Sequence, residues 1–309
     1  MLLNDFLGIR YPIMQGGMAR IATGEFAAAV SNAGALGIIA GGGISSEELR
    51  AEINTARSLT SKPFGVNVML LAPDVEEIAT MLAEECVPVV TTGAGSPDKY
   101  LERWKNAGSK VIPIIPSVAL AIRMQRAGAD AVVAEGTESG GHVGETTTMA
   151  LVPQVVDALD IPVIAAGGIA CGRQLCAAMA LGAIGAQLGT AFLVSEECPI
   201  HENYKLALLA AKDTGTMVTG RSLRAPVRLL KNKMAREYRQ LEEAGADREE
   251  FEKITLGSLK RAVIGGDKEG GSFMAGQVAG QLQHIEPLAN ILTRLIEEYQ
   301  QTREGLPCL

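Results

Sequence analysis

Glu135-Gly136-Thr137-Glu138-Ser139-Gly140-Gly141-His142-Val143-Gly144 carries the only glycine-flanked histidine of the chain. It follows the apolar run Ala131–Ala134. In a chain of alternating strands and helices this places an imidazole at the carboxyl end of a strand, where such folds put their chemistry. Two more glycine breaks, Ala166-Gly167-Gly168 and Leu188-Gly189-Thr190, follow the next two apolar runs. A phosphate needs amide donors that approach closely, and glycine removes the side chain that would collide. One histidine beside two candidate phosphate turns suggests a cofactor enzyme. The plain alternatives are an ordinary strand-to-helix turn at Gly167-Gly168 and a structural hydrogen bond for His142.

The elements that must position these residues alternate along the chain. Expected strands are Tyr11–Gln15, Ala35–Ala40, Phe64–Leu70, Pro88–Thr92, Lys110–Ile115, Ala131–Ala134, Ile161–Ala165 and Ala186–Leu188. They read as short apolar runs, as buried parallel strands do. Pro113 is awkward inside the fifth. Expected helices lie between them: Gly24–Asn32, Ser46–Ser58, Asp74–Glu84, Pro97–Asn106, Ser117–Arg126, Met149–Leu159 and Arg173–Ala180. Ser46 followed by glutamates is a helix-start signal. Eight such units fit a closed (β/α)8 TIM barrel, with a doubly wound sheet as the main rival.

The character changes near Glu196. Helices are expected over Asn203–Ala211, Arg224–Glu243 and Ser258–Val263, with a final amphipathic helix over Pro287–Tyr299. The expected organisation is a barrel over 1–196, an appended C-terminal helical region with a barrel-mouth segment over 197–285, and a last helix with a disordered tail over 286–309. The tail is Glu304-Gly305-Leu306-Pro307-Cys308-Leu309.

Composition narrows the class. The chain has 309 residues, 47% of them hydrophobic, enough for one large domain with an excursion. It has 35 glycines and only 4% aromatics, which suits a repetitive scaffold with frequent tight turns. A net charge of −7 argues against a general nucleic-acid binder. No secretory leader and no membrane-length apolar stretch are read, so a soluble, cytoplasmic protein is expected. Cys86, Cys171, Cys176, Cys198 and Cys308 form no close pair, and His142, His201 and His284 form no cluster. Neither a disulfide framework nor a metal site is expected.

The motifs together resemble a family. Tyr11-Pro12-Ile13-Met14-Gln15-Gly16-Gly17-Met18, the histidine segment and Pro162-Val163-Ile164-Ala165-Ala166-Gly167-Gly168-Ile169 are similar to those of flavin-dependent nitronate monooxygenases. Four further segments resemble enoyl-acyl carrier protein reductase II within that group: Phe64–Leu71, Val90–Gly95, Ile114–Ala121 and Gly270–Gln277. Each glycine motif is weak alone, but their order is specific. The resemblance covers residues from about 5 to 285.

The resemblance implies an FMN-bearing barrel that uses NADH or NADPH to saturate the trans-2 double bond of enoyl-acyl carrier protein in bacterial fatty-acid elongation. It matches Gln15, Gly16, Gly17 and Met18 to a first flavin loop and Asn67 to a flavin contact. Glu135, Gly140 and Gly141 fall near the isoalloxazine edge. Ala166, Gly167, Gly168, Gly189 and Thr190 match the phosphate grip, and Gln187 is a weaker flavin contact. Met274, Gly276 and Gln277 match a mouth segment, and His142 a catalytic donor near the thioester oxygen. Relatives are commonly homodimers. The alternative activity is nitronate monooxygenase, with His142 abstracting a nitroalkane proton. A noncatalytic barrel is the third class. An acidic carrier would suit the basic stretch from Arg221 to Arg239, with Arg224 and Arg228 on one helix face as a docking patch.

Overall fold

The computed structural model describes residues 1–307. Nine short strands occupy the first two thirds of the chain: β1 (Ile13–Gln15), β2 (Gly37–Ala40), β3 (Phe64–Met69), β4 (Val89–Gly93), β5 (Lys110–Ile115), β6 (Val132–Glu135), β7 (Gly141–His142), β8 (Val163–Ala166) and β9 (Ala186–Leu188). All except β7 form one eight-stranded parallel sheet, ordered β1-β9-β8-β6-β5-β4-β3-β2. A Met14–Leu36 bridge joins the two ends, with Gln15 N donating to Leu36 O at 2.8 Å. The expected TIM barrel is therefore the observed fold, and the doubly wound sheet is excluded. Pro113 does lie inside β5; it pairs with Thr92 of β4, and the β5–β6 register begins one residue beyond it, at Ile114.

Both faces of these strands are buried, which is why they read as unbroken apolar runs. Met14, Ile38, Ile112, Val133 and Ile164 fill the barrel interior. Their chain neighbours Ile39 and Val111 pack outward under one group of helices, and Ile13, Val132 and Val163 under another. Helix Leu3–Leu7, which the sequence did not signal, adds Leu3 and Leu7 to the interior cluster. Leu3 N donates to Ile184 O at 2.8 Å, just before β9. Three of the outer helices start on side-chain caps: Thr23 Oγ1 accepts from Phe26 N, Ser45 Oγ from Glu48 N and Ser117 Oγ from Leu120 N. The Ser45–Glu48 pair is a full capping box, and the helix starts at Ser46 as expected, with its cap one residue earlier.

The region after Glu196 needs a correction. The helix expected over Arg224–Glu243 is not one element. Strand β10 (Thr216–Thr219) pairs antiparallel with β11 (Val227–Leu230), and only then does a helix run over Lys233–Ala244. β11 also pairs with β7, setting Val227 opposite His142 and Arg228 opposite Gly141. The appended region thus contains a three-stranded sheet as well as helices. The final helix runs over Leu288–Glu304, five residues past the expected end. It returns to the barrel, where Glu298 accepts from Gly172 N at 2.8 Å. Of the tail expected to be disordered, Glu304 ends this helix, and Cys308 and Leu309 lie outside the described residues.

Close helix–strand approach depends on Gly37. A Cβ there would stand 1.8 Å from Ala27 O in the neighbouring helix. We predict that Gly37→Ala destabilises the protein by about 1–3 kcal/mol through forced backbone shifts. Denaturant unfolding measures this, and an unchanged midpoint would contradict the packing.

Candidate functional site

Residues matched by sequence at five separate places gather at the carboxyl ends of the barrel strands. Gln15 ends β1 and is fully buried; its Oε1 accepts from Ile38 N at 3.2 Å. Among the described residues its buried Nε2 has no hydrogen-bond partner, and neither has Gln187 Oε1 in β9. Buried polar atoms without partners are uncommon and mark places where a ligand could complete the bonding. Gly16 lies beside Gln187: a Cβ on Gly16 would sit 3.6 Å from its Nε2. Gly17 is closer still to Asn67, where a Cβ would stand 2.5 Å from Asn67 Cβ. Asn67 Nδ2 donates to Thr91 Oγ1 at 2.9 Å. The amides of Gln15, Asn67 and Gln187 thus lie about Gly16 and Gly17.

The two glycine turns have different reasons for being glycine. Gly167 and Gly168 adopt φ of 88° and 75°, the left-handed region that favours glycine. A Cβ on Gly167 would meet Gly136 O at 2.7 Å, so a side chain there meets protein before any phosphate. Gly189 has φ of −118°, and a Cβ on it meets only Met18 Sδ at 3.7 Å. Among the described residues Gly168 N and Ile169 N have no backbone acceptor. Free amides beside a glycine turn suit an anion.

The histidine segment is tied down from three directions. Arg228 Nε donates to Thr137 O at 3.0 Å, and its Nη1 donates to Thr216 Oγ1 at 3.1 Å. The Glu138 carboxylate accepts from Thr148 N at 2.9 Å and lies 3.0 Å from Thr148 Oγ1. Thr148 Oγ1 also lies 2.8 Å from Gly167 O, so one threonine links the histidine segment to the glycine turn. Glu138 O accepts from Gln277 N at 2.9 Å, and Gly276 N donates to Thr190 Oγ1 at 2.8 Å. The mouth segment Met274–Gln277 is thereby bonded to both the histidine segment and the second turn. Tyr204, fully buried, donates from its hydroxyl to Met274 O at 2.7 Å. His142 itself is exposed in β7, next to Gly141, whose φ is 76°.

Arg224 and Arg228 are not a common helix face. Arg224 is exposed in the turn before β11, with φ of 56°, while Arg228 is 7% exposed within β11. Arg228 holds the histidine segment and cannot serve as an outward landing charge. Burial lowers its guanidinium below the ordinary value, and the Glu138 carboxylate opposes that shift. Glu138, Thr148 and Tyr204 were not anticipated. Thr147-Thr148 before the apolar run Met149–Val152 was the one available signal, as a helix start.

Glu135 ends β6. It keeps partial solvent access, yet the protein around its carboxyl pushes the pKa up to about 7, with the Ser139 hydroxyl opposing. The ordinary value is 4.5, so the folded protein holds a proton between these values that the unfolded chain has lost. Stability from this group is full below about 4.5 and falls as pH rises to about 7. In ligand-free protein, Glu135→Gln should gain about 2 kcal/mol over the native chain at pH 8 and little at pH 4.5. Thermal unfolding across that range checks it; a pH-independent gap would contradict the assignment.

Comparison with known proteins identifies the family. The family model described as nitronate monooxygenase matches residues 1–88 and 78–298. A Staphylococcus aureus (strain JH9) protein named probable nitronate monooxygenase is 36% identical, with 97% of each chain covered. The structure of FabK from Thermotoga maritima is 47% identical with a TM-score of 0.95, covering 98% of this chain and 96% of that one. Nitroalkane oxidase from Streptomyces ansochromogenes is 30% identical with a TM-score of 0.86, covering 98% and 99%. With its model matched along most of the sequence, this chain belongs to the nitronate monooxygenase family.

Proposed function

We propose that this chain is an FMN-dependent reductase of enoyl-acyl carrier protein thioesters, with NADH or NADPH as reductant. One observation carries the choice within the family. Identity to FabK, an enoyl-acyl carrier protein reductase II, is 47% over almost the whole chain, against 30% to the nitroalkane oxidase. The nitronate monooxygenase reading remains the second, favoured by the family model and by the Staphylococcus aureus relative.

The residues present fit a flavin mononucleotide. Among the described residues Gln15 Nε2 and Gln187 Oε1 are a buried donor and a buried acceptor without partners, as a ring edge with both kinds of atom requires. Gly16 and Gly17 keep the space beside Asn67 and Gln187 free of further side chains. The turns Ala166-Gly167-Gly168 and Gly189-Thr190 would hold the phosphate, through free amides and the Thr190 hydroxyl. When bound, FMN supplies the hydride relay between nicotinamide and substrate.

The protein's own part is position and charge. Hydride arriving at the substrate β-carbon leaves negative charge at the α-carbon and the thioester oxygen. A donor held beside that oxygen stabilises the charge, and a proton completes the reduction. His142 is the donor assigned here. Arg228, Glu138 and Thr148 fix the segment that carries it, and preorganised donors stabilise developing charge at no reorganisation cost. In the second reading the same imidazole would take a proton from a nitroalkane.

Gly189→Ala isolates the phosphate assignment, because its Cβ finds no protein obstacle. We predict unchanged folding and FMN affinity at least about tenfold weaker, from loss of close approach. Equal affinity in titrations of the two apoproteins would remove Gly189 from the grip. His142→Ala should keep FMN and nicotinamide-dependent flavin reduction, yet slow reoxidation by enoyl thioester by about 100-fold or more. Anaerobic half-reactions separate the two steps. A normal reoxidation rate in the variant would take His142 out of the chemistry.

A further inference from the structure

A concavity of about 480 Å³ opens between helix Glu202–Leu209 and the β10–β11 hairpin. Ala207, Leu230 and Phe273 contribute its apolar lining, and Lys212, Lys231 and Lys268 its cations. Among the described residues no carboxylate lines it. All three lysines are exposed, and among the described residues none has an acidic partner within 4.0 Å. The neighbouring acids are Asp213, beside Lys212 in the chain, and Asp267 and Glu269, which flank Lys268 and are paired with Arg261 and Lys233. On a chain of net charge −7, an acid-free hollow with three unpaired lysines is a local reversal of sign.

The hollow is also wired to the mouth. Leu230 N donates to Phe273 O at 2.8 Å, and Met274 follows Phe273 directly. Lys231 N donates to Gly215 O at 2.9 Å, closing the far end of the hairpin. At about 3.4 Å per residue, Lys231 stands roughly 13–14 Å along the strand direction from Val227, which faces His142. One rigid hairpin therefore connects this surface to the histidine segment.

We propose that this hollow is the docking surface for the acidic carrier protein that presents the enoyl thioester. The proposal rests on the reductase reading. An apolar floor ringed by cations complements an acidic protein surface, and opposite charge accelerates the encounter. A dinucleotide fits less well. Phe273 is 2% exposed and packed edge-on to Tyr204, so it offers no aromatic face for an adenine. This surface replaces the Arg224–Arg228 patch, which the strand geometry dismantles.

The test uses the FMN-loaded holoenzyme bearing Lys212→Glu, Lys231→Glu and Lys268→Glu together. Crotonyl thioesters of acyl carrier protein and of N-acetylcysteamine are compared at low and high salt. The expected result is a kcat/KM about tenfold or more lower for the carrier substrate at low salt, with the gap narrowing as salt rises. Turnover of the N-acetylcysteamine thioester and flavin reduction by nicotinamide should stay within about twofold, since neither needs the surface. Equal losses for both thioesters, or none for the carrier, would overturn the docking surface while native turnover of both leaves the reductase reading intact. A raised KM for the nicotinamide would reassign the hollow to the dinucleotide. If the glutamates disturb folding, the Lys→Gln triple variant must show the same selective loss. A native enzyme that turns over neither thioester would bring down the reductase reading and this proposal together.

Discussion

The segment from Glu135 to His142 has to hold an imidazole at the barrel mouth with almost no apolar side chains of its own. Its shape comes from hydrogen bonds to groups outside it. Glu138 is the centre: its carboxylate takes the amide of Thr148, and its carbonyl takes the amide of Gln277. Thr148 then reaches Gly167 O, and Gly276 reaches Thr190 Oγ1. The histidine, both glycine turns and the mouth segment are thus one network, and a shift in one must be felt by the others.

Arg228 adds the costly element. A guanidinium buried without a carboxylate within 4 Å carries a desolvation penalty that hydrogen bonds must offset. Here Thr137 O and Thr216 Oγ1 accept from it, and Glu138 lies near enough to favour its charged form. The return is specificity of shape. Arg228 pairs through its backbone with Gly141 and through its side chain with Thr137, bracketing the segment from both ends. The excursion after the barrel is therefore part of the site, because β11 supplies the strand on which His142 is registered.

The barrel was legible because buried parallel strands announce themselves locally. Lys110–Ile115 and Ala186–Leu188 fall on their expected bounds, and Ser45, Thr23 and Ser117 mark helix starts by side-chain chemistry that needs no tertiary context. The hairpin was not legible for the opposite reason. Val227-Arg228-Leu229-Leu230 is a strand because it pairs with Thr216–Thr219 and with Gly141–His142, partners that local periodicity cannot reveal. The surrounding charges read as a helix face. Gly167 shows a subtler gap: its glycine character was visible, but the reason is the carbonyl of Gly136, a contact between two loops. Glu138 and Thr148, ten positions apart and without periodicity, meet only once the barrel has closed.

Proteins named nitronate monooxygenase and FabK share this scaffold. The direct measurement compares the two activities in one native preparation. Anaerobic enzyme reduced by NADH or NADPH is mixed with crotonyl-acyl carrier protein, and kcat/KM for that oxidation is set against kcat/KM for propyl nitronate with oxygen. The account predicts fast reduction by one nicotinamide, stoichiometric butyryl product, and enoyl turnover exceeding nitronate turnover by about 100-fold or more, a difference of roughly 3 kcal/mol in transition-state stabilisation. Slow reduction by both nicotinamides together with efficient nitronate oxidation would contradict it.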